Sequence, residues 1–193
     1  MTTDRSPLKN TCEWPGDDPL MNEYHDHEWG VPVHDDKKHF EFIVLDAFQA
    51  GLSWKTILHK REGFRRAFED YNIGKIADYG EEDFQRLMND VSIIRNRAKI
   101  RGTIANAQAF LKVQEEFGSF DKYIWAFVNG RPLKNKWKSI KELPASTPLS
   151  DRVSQDLKKR GFKFVGTTIV YAYLQAAGLV NDHVVGCGRS DLG

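Results

Sequence analysis

Apolar residues recur at intervals of three and four along almost the whole chain, and no segment shows the strict alternation of a half-buried strand. Phe40, Ile43, Val44, Ala47 and Phe48 form one such stripe, with Asp35 and Asp36 placed to cap its start and Gly51 to stop it. A second predicted helix starts near Ser53 and turns Trp54, Ile57, Leu58 and later Phe64 and Phe68 inward. Ile100, Ile104, Ala107 and Leu111 mark a third, and Val153 with Leu157 a short one. Ile169, Val170, Tyr173, Leu174 and Ala177 mark a last long helix ended by Gly178. The predicted fold class is all-α. Loops are expected where Pro and Gly collect, at 14–16, 30–32, 130–132 and 143–148, and the basic stretch 134–141 around Trp137 reads as an exposed loop.

The 193 residues suit one domain over 11–193, built of two closely packed helical lobes, behind a disordered tail at 1–10. There are no repeats. The first twenty residues carry Asp4, Glu13, Asp17 and Asp18 without an apolar run, and no stretch is long enough to cross a bilayer. The expectation is a soluble, cytoplasmic monomer with no membrane partner. The net charge of +1 conceals an imbalance: residues 1–90 hold 11 Lys and Arg against 19 Asp and Glu, and residues 91–193 hold 17 against 8. A basic half of that strength suits a polyanion, although solvated surface clustering would look the same.

The only two cysteines, Cys12 and Cys187, stand near opposite ends. His183 and Cys187 form a His-x3-Cys pair, and Cys12 and His25 lie either side of a Pro15-Gly16 turn. Two thiolates and two imidazoles are a preferred zinc set, and four protein ligands leave no open position for water, so such an ion would be structural. Spacing alone leaves His27 and His34 as competitors of His25.

Tyr24, Trp29 and Trp54 bracket the helix that carries Asp46. Aromatic faces beside one carboxylate suit a flat cation, through cation–π attraction and an ion pair at its edge. The same pattern also fits aromatic core packing with a solvated Asp46. Between two helical stretches, the run Val91 to Lys99 could form a short hairpin that aims backbone N–H groups, Arg95, Arg97 and Lys99 at phosphate.

These pieces fall in a familiar order. Tyr24-His25-Asp26-His27-Glu28-Trp29-Gly30-Val31-Pro32, then Gln49-Ala50-Gly51-Leu52-Ser53-Trp54, then 159–168, then Asn181-Asp182-His183-Val184-Val185-Gly186-Cys187 resemble the bacterial 3-methyladenine DNA glycosylase I family. The likeness runs from about Cys12 to Cys187. It implies an all-α helix-hairpin-helix DNA glycosylase fold whose termini are joined by a structural Zn2+ site, one ion per chain, on Cys12, His25, His183 and Cys187. It also implies that Tyr24, Trp29, Asp46 and Trp54 bind the base and that Leu52 sits near the gap left by a flipped base. Two positions depart from the pattern. Asp46 stands where the family usually has Glu, and Ser92 where the hairpin usually has Gly, which raises the question of a positive φ there.

The implied activity is hydrolytic excision of 3-methyladenine from double-stranded alkylated DNA. A base inside a duplex is out of reach, so it must be flipped out. Glu115 and Glu116 lie downstream of the hairpin without a recognisable motif, so no general base is assigned. Two other readings compete: a non-catalytic damage-binding protein of the same fold, and a hydrolase with a catalytic metal, which four protein ligands argue against.

Overall fold

The computed structural model describes residues 12–191, and the expected tail at 1–10 lies outside them. The described residues are almost wholly helical, as expected. In chain order the α-helices are α1 (Pro19–His27), α2 (Asp36–Gln49), α3 (Trp54–His59), α4 (Arg61–Ala67), α5 (Ile73–Ala77), α6 (Glu81–Asn89), α7 (Arg97–Phe117), α8 (Phe120–Ala126), α9 (Pro148–Lys159) and α10 (Thr167–Ala176). One structure escaped the periodicity. Leu133–Lys134 (β1) pairs in parallel with Val180–Asn181 (β2), a bridge too short to leave an alternating pattern.

Helix α2 is the centre of the molecule. Asp35 caps it by accepting from the backbone N–H of Lys38 at 2.8 Å, and every residue from His39 to Phe48 is buried. A helix buried on every side over ten residues must be enclosed by others, and α3, α7, α8 and α10 pack around it. Three ionisable side chains are caught in this burial. His39 receives the Tyr173 hydroxyl at 2.8 Å, and Glu41 accepts from Arg61 Nε at 2.7 Å. Asp46 has no such partner at its Oδ2.

Other expectations need correction. The helix predicted from Ser53 is two: Ser53 caps α3, and the chain breaks at Lys60, whose Nζ reaches out to the carbonyl oxygen of Val91 at 3.0 Å. Leu111, expected inside, is 37% exposed. The basic 134–141 segment is not a free loop, because Trp137 Nε1 donates to Asp182 at 2.7 Å. Ser92 does not take a positive φ, so its departure from glycine strains nothing there. The close approach falls instead on Gly63 of α4, where an added Cβ would lie 2.5 Å from the Ser92 carbonyl oxygen.

Candidate functional site

Three elements bring aromatic residues to one cavity beside α2. Tyr24 comes from α1, Trp29 from the turn after it, and Trp54 from the first turn of α3. They line a space of about 220 Å³ together with Asp46, Gln49, Trp14, Ile140, Leu143, Ala172 and Gln175. Trp14 and Trp29 pack edge to face with centroids 5.1 Å apart, and Tyr24 and Trp54 pack tilted, 5.0 Å apart at 50°. All four base-binding candidates from the sequence, Tyr24, Trp29, Asp46 and Trp54, therefore share one pocket. Trp14, Gln49 and Gln175 were missed. Trp14 stands two residues from Cys12, which was the available signal.

The polar chemistry of this pocket is concentrated in what lacks a partner. Five buried side-chain N or O atoms among the described residues have no hydrogen bond, and three of them belong to pocket residues: Asp46 Oδ2, Trp14 Nε1 and Trp54 Nε1. Buried polar groups in folded proteins are nearly always paired, so one acceptor and two donors left open on one cavity point to a polar ligand. Asp46 is 3% exposed, which excludes the solvated reading of this residue. Burial pushes its carboxyl well above the ordinary carboxylate range. A bound cation opposes that shift, because an opposite charge favours the ionised form.

Next to the pocket, Cys12, His25, His183 and Cys187 are all buried, and their ligand atoms lie within 4.8 Å of one another. Cys187 Sγ is 3.4 Å from His183 Nδ1 and 3.6 Å from His25 Nε2, and Cys12 Sγ is 3.7 Å from His183 Nδ1. A zinc tetrahedron with ordinary bond lengths has S···N edges of roughly 3.5 Å. The outer nitrogens are engaged as well: His25 Nδ1 donates to Asp26 at 2.7 Å and His183 Nε2 to the Trp29 carbonyl at 2.9 Å. Each imidazole thus turns an unprotonated nitrogen inward, as a metal ligand requires. The donor set fits zinc. His27 and His34 are elsewhere, with Arg189 and Asp121 respectively.

The turn between α6 and α7 carries Arg95 and Arg97, both exposed at the α7 N-terminus. Lys99 is different. It is buried, and its ammonium donates to the carbonyl oxygens of Phe48 at 2.8 Å and Ala50 at 2.6 Å. It closes the C-terminus of α2 and is not a phosphate contact in this geometry, since a cation is favoured at that end of a helix. Leu52 follows directly, 41% exposed, beside a groove shared by Asp46, Gln49 and Ile169.

Fold and site define an all-α protein with a buried aromatic pocket, one desolvated carboxylate and, beside it, a buried cluster of two cysteines and two histidines. The methyladenine glycosylase family matches residues 14–190, and the chain belongs to that family. It is 52% identical over 176 residues to DNA-3-methyladenine glycosylase 1 of Escherichia coli, covering 91% of this chain and 94% of that one. Against DNA-3-methyladenine glycosylase of Haemophilus influenzae the identity is 42% over 180 residues, covering 93% and 97%. The 3-methyladenine DNA glycosylase I of Staphylococcus aureus, solved to show how it recognises 3-methyladenine, superposes with a TM-score of 0.89 at 38% identity, covering 92% of this chain and 95% of that one.

Proposed function

We propose that this chain is a DNA repair glycosylase that flips 3-methyladenine out of alkylated double-stranded DNA and hydrolyses its glycosidic bond. The carrying observation is Asp46, a buried carboxylate with an open oxygen on the wall of an aromatic pocket. Family membership and the named activity of the relatives support the same reading.

The substrate explains the pocket. Methylation at N3 gives the base a positive charge and makes it a good leaving group, so much of the chemical barrier is already lowered. The remaining task is selection. Adenine lacks the charge that Asp46 and the ring faces of Tyr24, Trp29 and Trp54 attract. The charge vanishes as the bond breaks, so binding the cation tightly cannot by itself speed cleavage. The sugar cation that develops needs a separate counter-charge, which the flanking phosphates of the DNA supply. No side chain is assigned as general base. Glu116 is held by Arg160 at 2.7 Å, and neither it nor Glu115 lines the pocket.

On the DNA side, the α6–turn–α7 unit serves as the hairpin, with Arg95, Arg97 and the α7 N-terminus on phosphate and exposed Leu52 at the gap left by the base. The Cys/His centre holds one structural zinc ion through Cys12, His25, His183 and Cys187. With all four positions taken by protein, such an ion supplies crosslinking and no site for activating water. The protein acts as a monomer in the bacterial cytoplasm, where its DNA substrate is. No described helix is long and apolar enough to cross a membrane. Incubation with methylated duplex DNA and identification of the released bases tests the proposal.

A further inference from the structure

Asp182 is 1% exposed, and its carboxylate accepts four hydrogen bonds, two at each oxygen. Oδ1 receives Asn135 Nδ2 at 2.6 Å and Trp137 Nε1 at 2.7 Å. Oδ2 receives the Tyr171 hydroxyl at 2.5 Å and Gln175 Nε2 at 2.7 Å. All four donors are uncharged. A buried carboxylate without a cation beside it is costly, and full use of its acceptor sites offsets that cost.

The donors come from two walls of the aromatic pocket. Gln175 and Tyr171 belong to α10, and Gln175 itself faces the pocket. Asn135 and Trp137 belong to the stretch that continues into Ile140 and Leu143, which line the same pocket. That stretch has only a two-residue strand and one turn of 3-10 helix to shape it. Its backbone is held by the chain around Asp182: Leu133 N–H donates to Leu179 at 2.9 Å, Asn135 N–H to Asn181 at 3.0 Å, and Val185 N–H to the Trp137 carbonyl at 2.8 Å. The other walls come from α1 and the turn after it, α2 and α3, whose buried faces join the core.

We infer that Asp182 is the positioning residue of the pocket: one carboxylate holds the Gln175 wall and the Ile140–Leu143 wall at the spacing that grips a flat base. It touches no base itself. Without it the Gln175 amide loses its bond to the carboxylate, and the Ile140–Leu143 wall loses its side-chain tether. A displacement of one wall weakens contact with a bound ring, because dispersion falls off within fractions of an ångström. The inference rests on the base-pocket reading above.

Titration calorimetry with free 3-methyladenine tests it on the full-length, metal-replete parent, Asp182→Asn and Trp137→Phe. Metal content, thermal unfolding and binding of undamaged duplex DNA are measured beside it. The Asn side chain keeps the shape but sets a donor against donors. Base affinity is expected to fall about tenfold in Asp182→Asn, because a displaced wall gives up close contact with the bound ring. Trp137→Phe removes a single donor on a residue that does not line the pocket, and a smaller fall is expected. Metal content and affinity for undamaged DNA are expected to stay at parental values. Parental base affinity in a folded, metal-replete Asp182→Asn overturns the inference, as does a loss that only tracks lost metal. If Asp182→Asn does not fold, Trp137→Phe decides, and an unchanged affinity there overturns it. A parent that binds no 3-methyladenine instead overturns the base-pocket reading.

Discussion

His183 donates through Nε2 to the backbone carbonyl of Trp29 at 2.9 Å, so a member of the Cys/His centre is bonded directly to a wall of the aromatic pocket. The approach is close enough that a Cβ on Gly30 would lie 3.1 Å from the His183 ring. Glycine at this position, with φ of +77°, lets the chain pass. The centre therefore does more than draw residue 12 to residue 187: it backs the pocket.

Metal analysis is expected to give about one zinc per chain. Cys187→Ser leaves three ligands, so it should lower the thermal midpoint sharply, because metal binding energy is folding energy at such a site. Base release per folded molecule should fall far less. A metal-free protein of unchanged thermal stability would contradict the assignment.

Asp46→Asn is expected to keep the fold and to lose most preference for 3-methyladenine over adenine. Removing a charge-assisted hydrogen bond corresponds to a fall in binding on the order of tenfold to a hundredfold. Asp46→Glu should be tolerated. The pH behaviour has a definite sign. Because burial raises the folded-state value above the ordinary 3.8, the unfolded chain gives up this proton first as pH rises. The contribution of this group to stability is full below 3.8 and falls with rising pH until the folded-state value is passed. Asp46→Asn should therefore unfold at a higher temperature than the parent at neutral pH and at the same temperature in acid. Calorimetry across that range checks it, and parallel curves for the two proteins would contradict it.

The basic turn makes a separate prediction. Affinity for DNA should fall steeply with salt, and Arg95→Ala with Arg97→Ala should reduce the log–log slope by about 2, near 0.9 for each phosphate no longer neutralised. An unchanged slope in a filter-binding or anisotropy titration would move the footprint elsewhere, for example to Lys158, Lys159 and Lys163.

Lys99→Met should act on stability and on the Leu52 loop together. It strips the α2 carbonyls of Phe48 and Ala50 of their buried donor, at a cost of about 1.5–3 kcal/mol. Urea unfolding measures the first effect, and cleavage of a lesion in duplex DNA the second. A variant equal to the parent in both would show that Lys99 is a passive core cation.

Much of this was readable in the sequence, for physical reasons. The α2 stripe, its Asp35 cap and its Gly51 stop are local signals, and they appear as expected. The four Cys and His ligand candidates were identifiable because thiols are rare here and the spacing is suggestive. The choice of His25 over His27 and His34 needed the geometry or the resemblance. Lys99 was misread because a lysine among arginines at a helix start looks like a phosphate contact. Only the tertiary packing of α7 against the end of α2 shows that it caps a helix instead. Trp14, Gln175 and Asp182 were hidden for the same reason, since their partners lie between 7 and 47 positions away and leave no periodicity.

The most direct measurement is single-turnover release of bases from methylated duplex DNA by the purified protein, resolved by chromatography. Free 3-methyladenine is the expected product, with no adenine released and with Asp46→Asn needing a markedly higher enzyme concentration than the parent to reach the same rate. A folded parent that binds methylated DNA yet frees no base would contradict the glycosylase assignment and leave a damage-binding protein in its place.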